Sequence, residues 1–229
     1  MVKLIGAEQA ILAQAAETVL RDLFPAAVAV ATRSRDAIGA EDLQAARRRD
    51  RQLGRLCAAD ALFELGAPAT MPSHSSPPSW PEGLTGSISH CQTLCCAVAA
   101  RSGDLCALGV DVEAAVPLVE GVELVCGEIE LAHFAALPGP TAGNWPLLAF
   151  SAKEAAYKCQ YALTGQLLDF RDFEIDFDLI TPGGGRFALR RTRALPIPAG
   201  LELRIEGRWA ADRSHVYTAA WVKRSTLQG

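Results

Sequence analysis

The chain has 229 residues, half of them apolar and 21% charged, enough for one large domain or two small ones with a proper core. Its formal charge of −4 gives no general attraction to nucleic acid or to an anionic membrane, so neither is an expected partner. Seven irregularly spaced cysteines do not make a disulfide framework and fit a reducing cytoplasm. No apolar window reaches the length of a membrane span, and the first residues lack the continuous apolar core of a signal peptide. A soluble, cytoplasmic, monomeric protein is the expectation.

Residues 7–23 carry Ile11, Leu12, Ala15, Ala16, Val19, Leu20 and Leu23 at helical spacing, which predicts an amphipathic helix. Ala26–Ala31 reads as a short apolar strand. A second helix is predicted from Glu41 to Leu65, with Gly66 as its stop. In its first half Arg48, Arg51 and Arg55 follow i, i+3, i+7 and form one basic stripe, with Arg47 on a neighbouring face. Such a stripe is either a solvated face or a site for a phosphate-rich ligand.

Residues 66–83, rich in Pro and Ser, read as a loop that closes on Trp80-Pro81-Glu82-Gly83. Gly86-Ser87-Ile88-Ser89-His90-Cys91 then predicts a strand with a polar turn at Ser89-His90, followed by an apolar strand over Leu94–Ala100. His90 would stand at a strand end, where it is either structural or an anion contact. Cys91, Cys95, Cys96 and Cys106 lack the paired spacing of a zinc site and suit apolar packing.

Ala107–Glu113 is an apolar run ending in two acids separated by one valine. On a strand, Asp111 and Glu113 share one face while Val110 and Val112 enter the core. Two close carboxylates repel unless a cation lies between them, and a few hard oxygens suit Mg²⁺. An ordinary strand end with two solvated acids is the plain alternative.

Ala114–Val119 reads as a crossover, and Leu118–Phe134 as a helix with Glu128 and Glu130 exposed. After a Pro/Gly stretch, residues 147–158 predict another helix, with Glu154 and Lys158 at i, i+4 as a surface ion pair. Phe173–Ile180, Arg186–Arg191, Leu201–Trp209 and His215–Val222 read as strands of an antiparallel sheet. Gly183-Gly184-Gly185 is a turn without the lysine and helix of a phosphate loop.

Three segments stand out together: G-S-I-S-H-C at 86–91, L-G-V-D-V-E at 108–113 and F-S-A-K-E-A-A-Y-K at 150–158. Their order and intervals resemble the 4′-phosphopantetheinyl transferases of the single-chain type that serves siderophore and other nonribosomal peptide synthetases. Arg47, the stretch Gly54–Leu62 and the W-P-x-G before the histidine motif are also similar to that family. The resemblance spans roughly residues 45–160.

It implies an α+β fold, a pseudo-dimer of two similar halves, here residues 1–113 and 114–229, with the site between them. It further implies transfer of the 4′-phosphopantetheine group of coenzyme A to a serine of an apo acyl or peptidyl carrier protein. By the same resemblance Asp111, Glu113 and Glu154 would bind Mg²⁺, with Mn²⁺ as the alternative. Glu154 would also serve as base, and Lys158 would neutralise the transferred phosphate. His90 with Ser89 would contact the 3′-phosphate of coenzyme A, and Arg47 and Arg55 would grip the nucleotide's phosphates. The chain departs from the family pattern at Ala46, where a lysine is frequent, and at Asp50 and Arg51, which stand for an acid and an aromatic. Before the W-P it has His74, Ser75 and Ser76 in place of a basic residue. Two other classes stay open on the residues: a non-catalytic coenzyme A or carrier-binding module, and an Mg²⁺-dependent phosphohydrolase.

Overall fold

The computed structural model describes residues 2–35, 43–70, 77–140, 142–181, 183–191 and 204–224. Thus the expected helix start at Glu41, the residues His74, Ser75 and Ser76, and the first part of the strand expected from Leu201 lie outside the described residues.

The architecture is α+β, with two antiparallel sheets and five α-helices among the described residues. Helix α1 (Val2–Leu23) leads into β1 (Ala29–Ser34) and helix α2 (Leu43–Glu64). Strands β2 (Leu84–His90) and β3 (Leu94–Arg101) complete a three-stranded sheet in the order β1-β3-β2. The central strand β3 is an almost unbroken apolar run because both its faces are covered. On one face Cys57, Ala58, Ala61 and Leu62 of α2 pack against it and its neighbours. On the other, Ala16, Leu20 and Leu23 of α1 join Val98 and Ala100.

Strand β4 (Leu105–Ala114) hydrogen-bonds into a second sheet in the order β4-β8-β7-β6-β5. The other members are β5 (Phe173–Thr181), β6 (Gly184–Arg191), β7 (Glu206–Ala211) and β8 (His215–Lys223). Between β4 and β5 come α3 (Val122–Val125), α4 (Glu128–Ala135) and α5 (Trp145–Thr164). Asn144 caps α5 by accepting from the Leu147 amide at 3.0 Å, and Gly165, at φ +63°, ends it. Below α5 lies an aromatic core in which the Trp145 and Phe177 ring centroids are 4.9 Å apart.

Several expectations need correction. The residues read as a turn, Ser89 and His90, belong to β2, and the connection to β3 is residues 91–93. The single helix expected over Leu118–Phe134 is two short ones, since the chain is extended at Cys126 and Gly127. Glu130 is not exposed but 3% accessible. It accepts from Lys153 Nζ at 2.8 Å and from the Gly127 and Ile175 amides at 2.9 and 2.8 Å. A buried carboxylate is tolerated only when paired and hydrogen-bonded in this way. Lys153 has two further acceptors, the carbonyls of Val125 (2.7 Å) and Phe170 (2.9 Å). This lysine therefore fastens α3, α4 and the turn at Phe170–Asp172 to α5.

Candidate active site

The two sheets meet where β2 runs beside β4, and side chains make the junction. Thr85, Ser87 and Ser89 alternate on the buried face of β2. Ser87 Oγ accepts from the Val110 amide at 3.1 Å, and Ser89 Oγ from the Val112 amide at 3.4 Å. The motif serines thus bridge the sheets through the backbone of the strand that carries the two acids.

Helix α5 closes on β4 from the other side. A Cβ built at Gly109 would sit 1.8 Å from the carbonyl oxygen of Ala155, so only glycine permits this approach. The expected alternation of β4 holds: Val110 and Val112 enter the core beneath α1, and Asp111 faces α5. There Lys158 Nζ donates to Asp111 Oδ1 at 2.7 Å, to the Val110 carbonyl at 3.1 Å and to Ser89 Oγ at 3.2 Å. Ser89 Oγ in turn donates to Asp111 Oδ1 at 2.7 Å. The expected ion pair of Lys158 with Glu154 is thus replaced by one with Asp111, 47 residues away in sequence. The structure brings Ser89, Asp111 and Lys158, one from each motif, into a single network.

Asp111 is 3% accessible, and its second oxygen, Oδ2, is buried without a hydrogen-bond partner among the described residues. Such an orphan costs free energy unless something else meets it. Burial pushes the Glu113 carboxyl up to about 8, helped by the charge of Asp111, opposed by Lys158, and helped again by Glu154. Burial likewise raises Glu154, with Lys158 opposing and Asp111 reinforcing. For Lys158, burial favours the neutral amine, but the charge and hydrogen bond of Asp111, with Glu154, outweigh it and leave its pKa raised.

A carboxylate set that repels itself and an orphaned buried oxygen fit a hard divalent cation in donor chemistry. Among the described residues, however, Asp111, Glu113 and Glu154 are not gathered into a cluster able to hold a metal as they stand.

Two cavities flank this part of α5. One of about 660 Å³ is lined by Lys158, Tyr157 and Tyr161 of α5, by Ser87 and Ile88 of β2, and by Trp80 of the W-P-x-G loop, among others. The other, about 250 Å³, is lined by Glu154, Tyr157, Leu168, Asp169, Phe170 and Phe173. Tyr157 stands between the two.

His90 ends β2 with its surface open to solvent, yet the protein around the ring partly excludes water and lowers its pKa, with Asp50 opposing, Arg35 and Lys158 assisting, and Asp111 opposing. On α2, Arg48, Arg51 and Arg55 line a third cavity of about 390 Å³. The stripe read from helical spacing is therefore a real surface. Arg47 is exposed on the same helix but does not line that cavity. Sequence reasoning missed Arg35, which pairs with Asp50 and bonds the carbonyl of Cys91, the residue after His90. Its only sequence signal was a second arginine two residues after Arg33, following a short strand. The seven cysteines are free thiols, six of them buried in the packing. No described helix is long and apolar enough to cross a membrane.

A family model described as the 4′-phosphopantetheinyl transferase N-terminal domain matches residues 33–100. A second, described as the 4′-phosphopantetheinyl transferase superfamily, matches residues 107–200. The chain is 40% identical over 170 residues to 4′-phosphopantetheinyl transferase Svp of Streptomyces mobaraensis, covering 72% of this chain and 68% of that protein. It is 36% identical over 172 residues to 4′-phosphopantetheinyl transferase PptT of Mycobacterium tuberculosis, covering 72% and 74%. Enterobactin synthase component D of Salmonella typhimurium is 37% identical over 119 residues, 49% of this chain and 47% of that protein.

Proposed function

The chain belongs to the 4′-phosphopantetheinyl transferase superfamily, and on that premise we propose the reaction and the residues that carry it. The protein transfers the 4′-phosphopantetheine group of coenzyme A to a serine of an apo carrier protein and releases adenosine 3′,5′-bisphosphate. The observation that carries this reading is the meeting of Asp111 and Ser89 with Lys158, which itself lines the 660 Å³ cavity.

The serine oxygen attacks the phosphorus next to pantetheine. The bond from that phosphorus to the bridging oxygen breaks, and its electron pair leaves with the nucleotide. The attack must approach a centre crowded with negative oxygens. The Lys158 ammonium, held charged by Asp111, lowers that repulsion and neutralises the oxygens as charge shifts to the leaving group. Glu154 lines the smaller cavity on the other side of Tyr157 and takes the serine proton, directly or through water. Its raised pKa makes it a better base than a solvated glutamate. Asp111, Glu113 and Glu154 would hold Mg²⁺ or Mn²⁺, which would supply charge neutralisation at the diphosphate. His90 contacts the 3′-phosphate, and Arg47 and Arg55 the nucleotide's phosphates, while Ser89, expected beside His90, is buried on the opposite face of β2 with its hydroxyl taken by Asp111, Lys158 and the Val112 amide. The division into residues 1–113 and 114–229 belongs to the same proposal, with β4 joining the halves.

Intact-mass spectrometry of apo carrier proteins with coenzyme A, Mg²⁺ and this protein tests the reading. A carrier mass gain of about 340 Da, lost with EDTA, is the expected result. Nucleotide release without any carrier gain would make the protein a hydrolase. Tight coenzyme A binding with neither product would make it a binding module.

A further inference from the structure

We propose that Arg35 is a positioning residue for the phosphate contact of His90. This rests on the coenzyme A reading of the site and names what holds its nucleotide end in place.

Arg35 follows β1 and is 8% accessible. Its backbone N–H donates to the Thr93 carbonyl and its Nη1 to the Cys91 carbonyl, each at 2.8 Å. Those two carbonyls bracket the connection between β2 and β3, and His90 is the residue just before it. The rest of the guanidinium forms a fork on Asp50 of α2, Nε to Oδ1 at 2.6 Å and Nη2 to Oδ2 at 2.8 Å. Both side chains of the pair are nearly buried, at 7% and 12% accessible. One arginine therefore ties the end of β2 to the helix that carries Arg47, Arg48, Arg51 and Arg55. A planar, five-donor guanidinium can hold two carbonyl-side and carboxylate-side partners in fixed directions, which a lysine cannot.

The second effect is electrostatic. Asp50 sits on α2 among those arginines, close enough to act on the His90 ring. An uncompensated carboxylate there would oppose a phosphate. Arg35 cancels that charge while staying buried itself, with three of its five N–H donors engaged on Asp50 and the Cys91 carbonyl.

The test compares coenzyme A with 3′-dephospho-coenzyme A, using an apo carrier as acceptor and the full chain. The double variant Arg35→Met/Asp50→Leu removes both charges and leaves no buried ion unpaired. Asp50→Asn serves as a milder second variant, and thermal unfolding monitors folding of each. The double variant should raise KM for coenzyme A about tenfold, the scale of one charge-assisted hydrogen bond, whereas Asp50→Asn, which removes the opposing carboxylate and leaves Arg35 in place, should not raise it. Their kcat should hold, and KM for the dephospho substrate should not change. An equal penalty on both substrates, or a lowered melting temperature with unchanged KM, would overturn the role. His90→Ala is the control for the underlying contact. If it discriminates the two substrates and the Arg35 variant does not, the inference fails while the coenzyme A reading stands. If His90→Ala does not discriminate them, the 3′-phosphate contact falls and the inference with it.

Discussion

Lys158 Nζ lies 2.7 Å from Asp111 Oδ1, while Oδ2 of the same carboxylate is buried with no hydrogen-bond partner among the described residues. One oxygen of Asp111 thus holds a lysine that lines the larger cavity.

Asp111→Asn keeps the shape of the side chain but removes its charge. Transfer should fall at least about 100-fold in kcat/KM, the size of effect seen when a charge-stabilising group is lost from a preorganised site. Mn²⁺ binding, followed by its electron paramagnetic resonance signal, should weaken in parallel. Unchanged Mn²⁺ affinity would remove Asp111 from the metal site.

Gly109→Ala should separate α5 from β4, because the new methyl would meet the Ala155 carbonyl at 1.8 Å. A cost of about 1–3 kcal/mol is expected, or a melting temperature lower by roughly 2–12 °C for a chain of this size. Activity measured well below that temperature should also drop, since Lys158 would lose its register with Asp111. A variant as stable and active as the parent would show that the contact relaxes freely.

Lys153→Met strands the Glu130 carboxylate in the core and should cost about 3–5 kcal/mol in denaturant unfolding. Lys153→Met/Glu130→Gln replaces the stranded charge with a neutral amide and should recover part of that loss. If the double variant were less stable than the single, Glu130 would matter mainly through the Gly127 and Ile175 amides.

His215 is 2% accessible; its Nε2 is 2.7 Å from Thr93 Oγ1, and its Nδ1 is buried without a hydrogen-bond partner among the described residues. Burial lowers its pKa, against the pull of Asp212. A histidine with a folded pKa below its unfolded value of about 6.5 binds fewer protons when folded. Stability should therefore be complete above pH 6.5 and decline as the pH falls below it, by at most about 1.4 kcal/mol per unit for this group. His215→Gln should flatten that part of the profile in thermal unfolding measured from pH 7.5 to 5.5. An unchanged slope would mean another group controls it.

Much of the site could be read from the chain because strand and helix periodicities are local. Alternation in Leu108–Glu113 placed Val110 and Val112 in the core and Asp111 on the opposite face. Helical spacing placed Arg48, Arg51 and Arg55 on one stripe, and they line one cavity. The order of the motifs pointed to the family, and the matches over 33–100 and 107–200 bear that out.

What periodicity cannot supply is the partner of a side chain across the fold. Helical spacing offered Glu154 to Lys158, yet the lysine chose Asp111. It offered Glu130 to solvent, yet Lys153 took it into the core. It left Arg35 unremarked, although that arginine joins β1, α2 and the β2–β3 connection. Each of these pairings depends on backbones brought together by packing, as Gly109 lets α5 approach β4. The sequence by itself determined which residues carry charge and which face of each element they occupy. Only the tertiary structure decided which charges meet, because a buried ion takes whichever partner lies within hydrogen-bonding reach once water is excluded.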